Sequence, residues 1–147
     1  MGETVQGRIV GVAMLVLVVA ACASGCGSTT LAGGTGKCAM SAENPHHSKG
    51  SPGWIVAKAR YGCNIAADSV HADVVLQQYI SGTWRTIARD SDNQTPVVPN
   101  KQYTLQATVS CRSGSFRTAT HGYGYLRGVK SASTAWDYSQ TVTNPCS

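Results

Sequence analysis

The chain has 147 residues and a formal net charge of +5, with 13% charged and 42% hydrophobic residues. That length is enough for about one domain, which excludes a multidomain enzyme, and the hydrophobic share is too high for a disordered chain. Six cysteines and sixteen glycines in so short a chain are typical of a small exported β-protein braced by disulfides.

The N-terminal segment has the pattern of a signal peptide. Arg8 is followed by an uncharged apolar run, Ile9 to Ala23, that is fifteen residues long. A membrane-spanning helix needs about 20 such residues, whereas the apolar core of a signal peptide is shorter and is followed by small residues. We therefore assign residues 1–25 to a signal peptide of the lipoprotein type.

Two cysteines are candidates for lipid attachment after cleavage. The sequence Val-Ala-Ala before Cys22 resembles the lipobox of bacterial lipoproteins, and Ala-Ser-Gly before Cys26 is a weaker match. Cleavage before Cys26 leaves an even number of further cysteines, which can all pair, whereas cleavage before Cys22 leaves an odd one. Cys26 is the favoured site and Cys22 the alternative. Ala21-Cys22-Ala23 also fits an ordinary secretion site, so free secretion stays open.

The segment 26–37 differs in composition from the rest of the chain. It consists mostly of Gly, Ser, Thr and Ala. Such a segment gains too little from burial to offset the entropy lost on ordering. We expect a flexible tether that holds a folded domain, residues 38–147, off a membrane surface.

From residue 38 onward, hydrophobic residues recur with a period of two. The pattern is clearest from Tyr103 to Cys111, where Leu105 and Ala107 alternate with polar residues, as in a strand with one buried face. Ser81-Gly82 and Arg112-Ser113-Gly114 have the composition of hairpin turns. The chain is therefore predicted to be all-β, an antiparallel immunoglobulin-like β-sandwich of six to seven strands. The other predicted strands are Ile55 to Tyr61, Val70 to Ile80, Thr83 to Arg89, Ser115 to His121 and Trp136 to Thr143.

The domain contains four cysteines, Cys38, Cys63, Cys111 and Cys146. Four cysteines allow three pairings, and the sequence alone does not choose between them. We favour Cys63–Cys111, which would bridge the ends of two strands, with Cys38–Cys146, which would join the termini of the domain. The spacings of tens of residues argue against a structural zinc site, so no metal is predicted.

Candidate catalytic residues do not form a recognisable motif. The serines lack a G-x-S-x-G context, and the few carboxylates show no pairing typical of glycoside hydrolysis. His46 and His47 are adjacent, so in an extended segment they would point to opposite sides, and we expect a solvated loop. The sequence predicts no catalytic residue and no cofactor.

The positive charge is concentrated near the C-terminal end. Four cations fall within nineteen residues, close to Phe116 and two tyrosines. A basic edge with aromatic residues would attract an anionic envelope polymer, phospholipid head groups or an acidic protein patch. The alternative is a cationic surface that serves only solubility. The candidate binding residues are Arg112, Arg117, Arg127, Lys130, Tyr123 and Tyr125.

Several short motifs resemble a known group of proteins. They are Tyr61-x-Cys63, the segment Cys111-Arg112-x-Gly114-x-Phe116-Arg117-Thr118, and the final Cys146. Together they are similar to small secreted or lipid-anchored proteins, mostly uncharacterised, of actinobacteria and their phages. The resemblance implies an extracytoplasmic β-domain and brings no catalytic residues with it.

These patterns predict an exported, lipid-anchored and non-enzymatic binding module at the cell envelope. We expect a monomer that contacts the membrane through its N-terminal lipid, binds an anionic envelope polymer or an envelope or phage protein, and does not bind nucleic acid. By analogy with the resembling group, a prophage-encoded protein that blocks superinfection is a narrower hypothesis. The alternative is a freely secreted β-sandwich that acts as an inhibitor or as an enzyme.

Overall fold

The computed structural model describes residues 26–147, so the predicted signal peptide and Cys22 lie outside the described residues. All regular elements of the described part are strands, and all of their pairings are antiparallel. Between residues 26 and 147, no helix is long and apolar enough to cross a membrane. The strands are β1 (Gly27–Thr30), β2 (Lys37–Ala42), β3 (His46–His47), β4 (Trp54–Cys63), β5 (Ser69–Ile80), β6 (Thr83–Gln94), β7 (Tyr103–Ser110), β8 (Ser115–Leu126), β9 (Val129–Lys130), β10 (Asp137–Tyr138) and β11 (Val142–Thr143).

The strands form two sheets that face each other. In the first sheet the order is β1-β2-β4-β7, and β3 continues along the β2 side of β4. In the second sheet the order is β6-β5-β8, and the short strands β9, β10 and β11 line the free side of β8. This confirms the predicted all-β, antiparallel β-sandwich, with seven strands of four residues or more.

The core lies between the two sheets and follows from the alternation of side chains. Ile55, Ala57 and Ala59 of β4 are fully buried, as are Val70 and Val74 of β5. All five belong to one hydrophobic cluster. Burying a Val or Ile side chain stabilises a fold by about 1.5–3 kcal/mol, so the inward rows of these strands hold the sheets together.

Tyr61 adds a polar link across the sandwich. Its ring is 1% exposed, and its hydroxyl donates a hydrogen bond to the carboxylate of Asp92 on β6. Burial, and then the hydrogen bond to Asp92, raise the pKa of Tyr61 well above its ordinary value. This hydrogen bond therefore links β4 of the first sheet to β6 of the second, in addition to the packing of the core.

Two glycines allow β8 to approach the first sheet closely. A Cβ atom at Gly122 would overlap the carbonyl oxygen of His71 and the side chain of Met40, and one at Gly124 would lie 2.8 Å from the Cys38 sulfur. Because glycine has no side chain, the neighbouring strands occupy that space. For this reason β8 continues to Leu126, five residues beyond the predicted end at His121.

The segment 26–37 is folded, and the prediction of a flexible tether is wrong. Residues Gly27–Thr30 form β1, which pairs along its length with β2. Leu31 is 2% exposed and belongs to the core, and the Thr29 hydroxyl donates a 2.6 Å hydrogen bond to the carbonyl of Ala132. Pairing with β2 and burial of Leu31 supply the stabilisation that the composition of this segment does not indicate.

The four cysteines of the domain form two disulfides, but the favoured pairing is wrong. Cys38 is joined to Cys63 and Cys111 to Cys146. Cys38 and Cys63 lie directly opposite each other on β2 and β4, with Cα atoms 4.0 Å apart, so the register of this strand pair decides the bond. The second disulfide ties the end of β7 to the C-terminal segment after β11.

One of the two predicted hairpin turns is confirmed. Ser81 and Gly82 have φ angles of 50° and 81° and join β5 to β6, as expected of a two-residue hairpin whose central residues both have positive φ. The segment Arg112–Gly114 is not a hairpin, because β7 belongs to the first sheet and β8 to the second. The predicted strand from Trp136 to Thr143 consists of two short pieces, β10 and β11.

Candidate binding face on the second sheet

The outward side of β8 carries a row of functional side chains. Inward residues such as Phe116 and Thr118 are fully buried, and Arg117, His121 and Tyr123 alternate with such inward positions on the outer side. Residues two apart on a strand lie on the same face, about 6.6 Å from each other. The row therefore runs along the outer surface of the second sheet.

An arginine lies between two aromatic rings at one end of this row. The guanidinium carbon of Arg117 is 4.4 Å from the ring centre of Trp84 and 4.2 Å from that of Tyr138. Its Nε donates a 2.8 Å hydrogen bond to Gln77. The ring of Tyr79 lies 5.2 Å from that of Trp84. We call Tyr79, Trp84, Arg117 and Tyr138 the arginine cluster.

A carboxylate lies between two histidines in the middle of the face. Asp73 is directly opposite His121 in the pairing of β5 with β8, and its Oδ2 is 3.2 Å from Nε2 of His121 and 3.3 Å from Nε2 of His71. The ring of His71 stacks on Tyr123 at 4.9 Å, and that of His121 lies 3.9 Å from Trp136. We call these five residues the histidine cluster.

The row ends at a lysine contributed by β9. Lys130 is opposite Tyr125 in the pairing of β8 with β9, and its Nζ lies 3.7 Å from the ring centre of Tyr123. The rings of Tyr123 and Tyr125 are 5.9 Å apart and meet edge to face. The arginine cluster, the histidine cluster, Tyr125 and Lys130 together are called the aromatic face below.

A buried aspartate positions the edge of this face. Asp137 is 2% exposed, and its Oδ2 accepts a 2.7 Å hydrogen bond from the backbone N–H of Ala42 in the first sheet. Because Asp137 points inward, its neighbours Trp136 and Tyr138 are exposed, at 42% and 43%. Burial raises the pKa of the Asp137 carboxyl, against the opposing effect of hydrogen bonds from the backbone of Ala42 and Tyr138.

The structure brings together four of the six predicted binding residues. Arg117, Tyr123, Tyr125 and Lys130 lie on the aromatic face. Arg112 and Arg127 are exposed and lie just beyond the opposite ends of β8, a strand that spans roughly 36 Å at about 3.3 Å per residue. Phe116 is fully buried. The predicted cations therefore do not form one basic edge.

Six ring residues of the face were not among the binding residues predicted from the sequence. Four of them come from β5, β6 and the segment beside β8, so only the strand order brings them to this surface; they are Tyr79, Trp84, Trp136 and Tyr138. The other two are histidines. A period of two carried through Gly122 and Gly124 places His121 on the same side as the tyrosines, and the same period places His71 on the outward side of β5. The sequence alone was therefore sufficient to place His71 and His121 on the outward side of their strands.

A second grouping of potential ligands lies on the other side of the molecule. A ring nitrogen of His47 lies within 4.8 Å of the sulfur atoms of Cys111 and Cys146. Those sulfurs are joined in a disulfide, so they offer no thiolate to a metal. The Nε2 atom of His47 accepts a 3.1 Å hydrogen bond from the backbone of Gly53, which accounts for its position at the edge of the first sheet.

No family model, no curated protein and no solved structure matches the chain. A proposal of function therefore depends on the chemistry of the aromatic face. Exposed aromatic rings offer flat, apolar surfaces with a negative face, and the cations stacked on them attract anions. The imidazoles and the hydroxyls of the tyrosines add hydrogen-bonding groups to the same surface.

Proposed function

We propose that the protein is an exported, lipid-anchored and non-enzymatic binding module of the cell envelope that holds an anionic polysaccharide on the aromatic face. The observation that carries this proposal is the stacking of Arg117 between Trp84 and Tyr138, in one surface with Lys130 on Tyr123. Sugar rings have apolar C–H sides that pack on aromatic rings, and their carboxylate or phosphate groups pair with guanidinium and ammonium groups.

The charges of the face favour an anionic polymer over a neutral one. Arg117 and Lys130 are on the face, and Arg89 is exposed on β6, opposite Val75. The carboxylate of Asp73 lies between two imidazoles, which reduces its repulsion of an incoming anion. A flat row of rings and cations suits an extended chain with repeated charges.

The shape of the face supports binding rather than catalysis. The rings stand on an open sheet surface, and Tyr79, Trp136 and Tyr138 are each more than two-fifths exposed. Catalytic sites commonly exclude water, because a dry environment strengthens the electrostatic interactions with the transition state. A polymer laid on this surface would keep one side in water.

The cysteine pattern supports lipid attachment at Cys26. The four cysteines of the domain pair with one another in two disulfides. This agrees with the parity of cysteines expected for cleavage before Cys26. An acylated N-terminal cysteine of a bacterial lipoprotein carries more than one acyl chain, which is enough for stable anchoring.

The binding test compares two double variants that lose the same charge. We expect the mature protein to bind purified wall polysaccharide that carries carboxylate or phosphate groups, with saturation and with weakening in salt. Arg117→Gln with Lys130→Gln should weaken binding at least about tenfold, because both cations of the face are removed. The control, Arg112→Gln with Arg127→Gln, should change it less than about twofold. Equal effects of the two variants, or equal binding to neutral dextran, would contradict the proposal.

Anchoring is tested separately by the intact mass of the mature protein. We expect cleavage before Cys26, an acyl modification on that residue, and partitioning into the detergent phase. A mature protein without lipid, recovered from the culture medium, would instead establish the freely secreted alternative. This measurement does not depend on the identity of the polysaccharide.

A further inference from the structure

The outward side of the first sheet, opposite the aromatic face, is cationic. Lys58 and Arg60 of β4 alternate with the buried residues of that strand, and Lys37 of β2 precedes the buried Cys38. Arg60 forms an ion pair with Glu43, and Lys58 lies 4.0 Å from the same carboxylate. Lys101 lines a cavity together with Lys37 and Arg60, and Asp90 and Asp92 line one beside Lys58. With these residues included, four cations face three carboxylates, and the excess of positive charge lies around Lys37, Arg60 and Lys101.

Cys26 lies on the same side of the first sheet. Gly27 and Thr29 of β1 are buried, so the alternation of the strand places Cys26 outward. Its thiol is 3.5 Å from the carbonyl oxygen of Met40, and a surface cavity of about 400 Å³ joins Cys26 to Lys37 and Arg60. A group attached to this sulfur would leave the protein among the cations.

An exposed tryptophan lies on this side as well. Trp54 is the first residue of β4 and precedes the buried Ile55, which places it on the outward side with Lys58 and Arg60. It is 44% exposed. Tryptophan is enriched at membrane–water interfaces, where its ring is partly in contact with lipid and its N–H with water. We call Lys37, Trp54, Lys58, Arg60 and Cys26 the membrane-facing surface.

We propose that the membrane-facing surface lies against anionic phospholipid head groups and that the aromatic face therefore points away from the bilayer. The inference rests on the proposed attachment of lipid at Cys26. Because β1 begins at Gly27, a lipid on Cys26 would hold the domain directly at the bilayer surface. The cations around Cys26 would then meet the anionic head groups, which attract Lys and Arg near a membrane surface.

This arrangement gives each sheet a separate partner. The first sheet contacts the membrane through charge and through Trp54, and the second sheet presents its rings to the envelope polymer. A chain bound in the reverse orientation would place Trp84 and Trp136 at the lipid and would cover the aromatic face. The two orientations therefore differ in which tryptophans approach the acyl chains.

The first experiment uses a chain without lipid, residues 26–147 with Cys26→Ser, since these residues contain both sheets and both disulfides. We expect it to co-sediment with vesicles of phosphatidylglycerol and phosphatidylcholine, and far less with pure phosphatidylcholine. The triple variant Lys37→Gln, Lys58→Gln and Arg60→Gln should lower the partition coefficient onto the anionic vesicles about 100-fold.

The matched control also removes three positive charges, two from β6 of the second sheet and one from the turn between β8 and β9. Arg85→Gln, Arg89→Gln and Arg127→Gln together should change partitioning less than about threefold. Thermal melts show whether both triple variants are folded. Equal losses in the two variants, or equal binding to neutral vesicles, would overturn the proposal.

A second readout reports orientation through tryptophan fluorescence. In vesicles of phosphatidylglycerol with brominated acyl chains, the variant Trp84→Phe with Trp136→Phe retains Trp54 and should be quenched. Trp54→Phe retains the other two tryptophans and should not be. The opposite result would overturn the proposed orientation. Because these chains carry no lipid, the outcome is independent of the mass measurement that tests attachment at Cys26.

Discussion

The ammonium group of Lys130 lies 3.7 Å from the centre of the Tyr123 ring. This contact depends on the tight turn after β8, in which Arg127 and Gly128 have φ angles of 53° and 75°. Such a turn lets β9 fold back directly on β8. The cation is thereby fixed over the end of the aromatic row, where it can meet a negative group on a bound polymer.

Trp136 should contribute to binding and little to stability. Trp136→Ala is expected to weaken polysaccharide binding about tenfold, because its exposed ring is lost from the face, and to change the unfolding free energy by less than about 1 kcal/mol. Trp54→Ala is the matched control, since Trp54 is exposed to nearly the same extent on the opposite sheet. Equilibrium binding and urea denaturation of both variants check this prediction, and equal loss of binding would contradict it.

The disulfide pairing is directly measurable. Non-reducing peptide mapping should recover Cys38 linked to Cys63 and Cys111 linked to Cys146. Removing the first pair as Cys38→Ser with Cys63→Ser opens a loop of sequence separation 25 and should lower the unfolding free energy by roughly 3.5 kcal/mol. A peptide that links Cys63 to Cys111 would contradict the register of β2 and β4.

Asp137 should make stability depend on pH. Its folded pKa is raised above the ordinary value of 3.8, so the native state binds the proton more tightly than the unfolded state. The contribution of Asp137 to the unfolding free energy is therefore highest below about pH 3.8 and falls as pH rises through the raised pKa. Asp137→Asn removes this titration, so its stability relative to the natural protein should increase with pH, by at most about 1.4 kcal/mol per unit. Denaturation curves of both proteins from about pH 3.5 to 7, the range in which a raised carboxyl pKa is expected to fall, check this prediction. A difference in unfolding free energy that stays constant over this range would contradict it.

The folded state of the N-terminal strand is tested by a glycine substitution. A Cβ atom at Gly27 would lie 2.7 Å from the carbonyl oxygen of Ala135, so Gly27→Ala should lower the unfolding free energy by about 1–3 kcal/mol. A Cβ at Gly50 would meet no atom within 4 Å, and Gly50→Ala is the control. Equal stability of both variants would show that β1 does not pack against the domain.

Periodicity was sufficient to predict most of the fold. The strands around Ile55, Val70 and Tyr103 were located from the alternation of buried and exposed residues, because each has one face in a common core. The segment 26–37 was wrongly predicted to be a flexible tether, because Gly27–Thr30 has little hydrophobic content of its own. Its stability comes from pairing with β2 and from the burial of Leu31, and both depend on distant parts of the chain.

The candidate site was harder to predict than the fold. Tyr123 and Lys130 were identified because they are close in sequence. Trp84 reaches Arg117 only because β6 and β8 lie on either side of β5, and a strand order is not encoded in local patterns. Gly122 resembled the end of a strand, whereas in the structure it makes room for Met40 and lets the strand continue to the tyrosines.

The most direct test of the binding account is a titration of the ¹⁵N-labelled protein with anionic wall polysaccharide, observed through the indole N–H signals. The chain has three tryptophans, two on the aromatic face and one on the opposite sheet. We predict that the signals of Trp84 and Trp136 shift and saturate together while that of Trp54 stays in place. A shift of Trp54 alone, or no shift of Trp84 and Trp136 at saturation, would contradict the account.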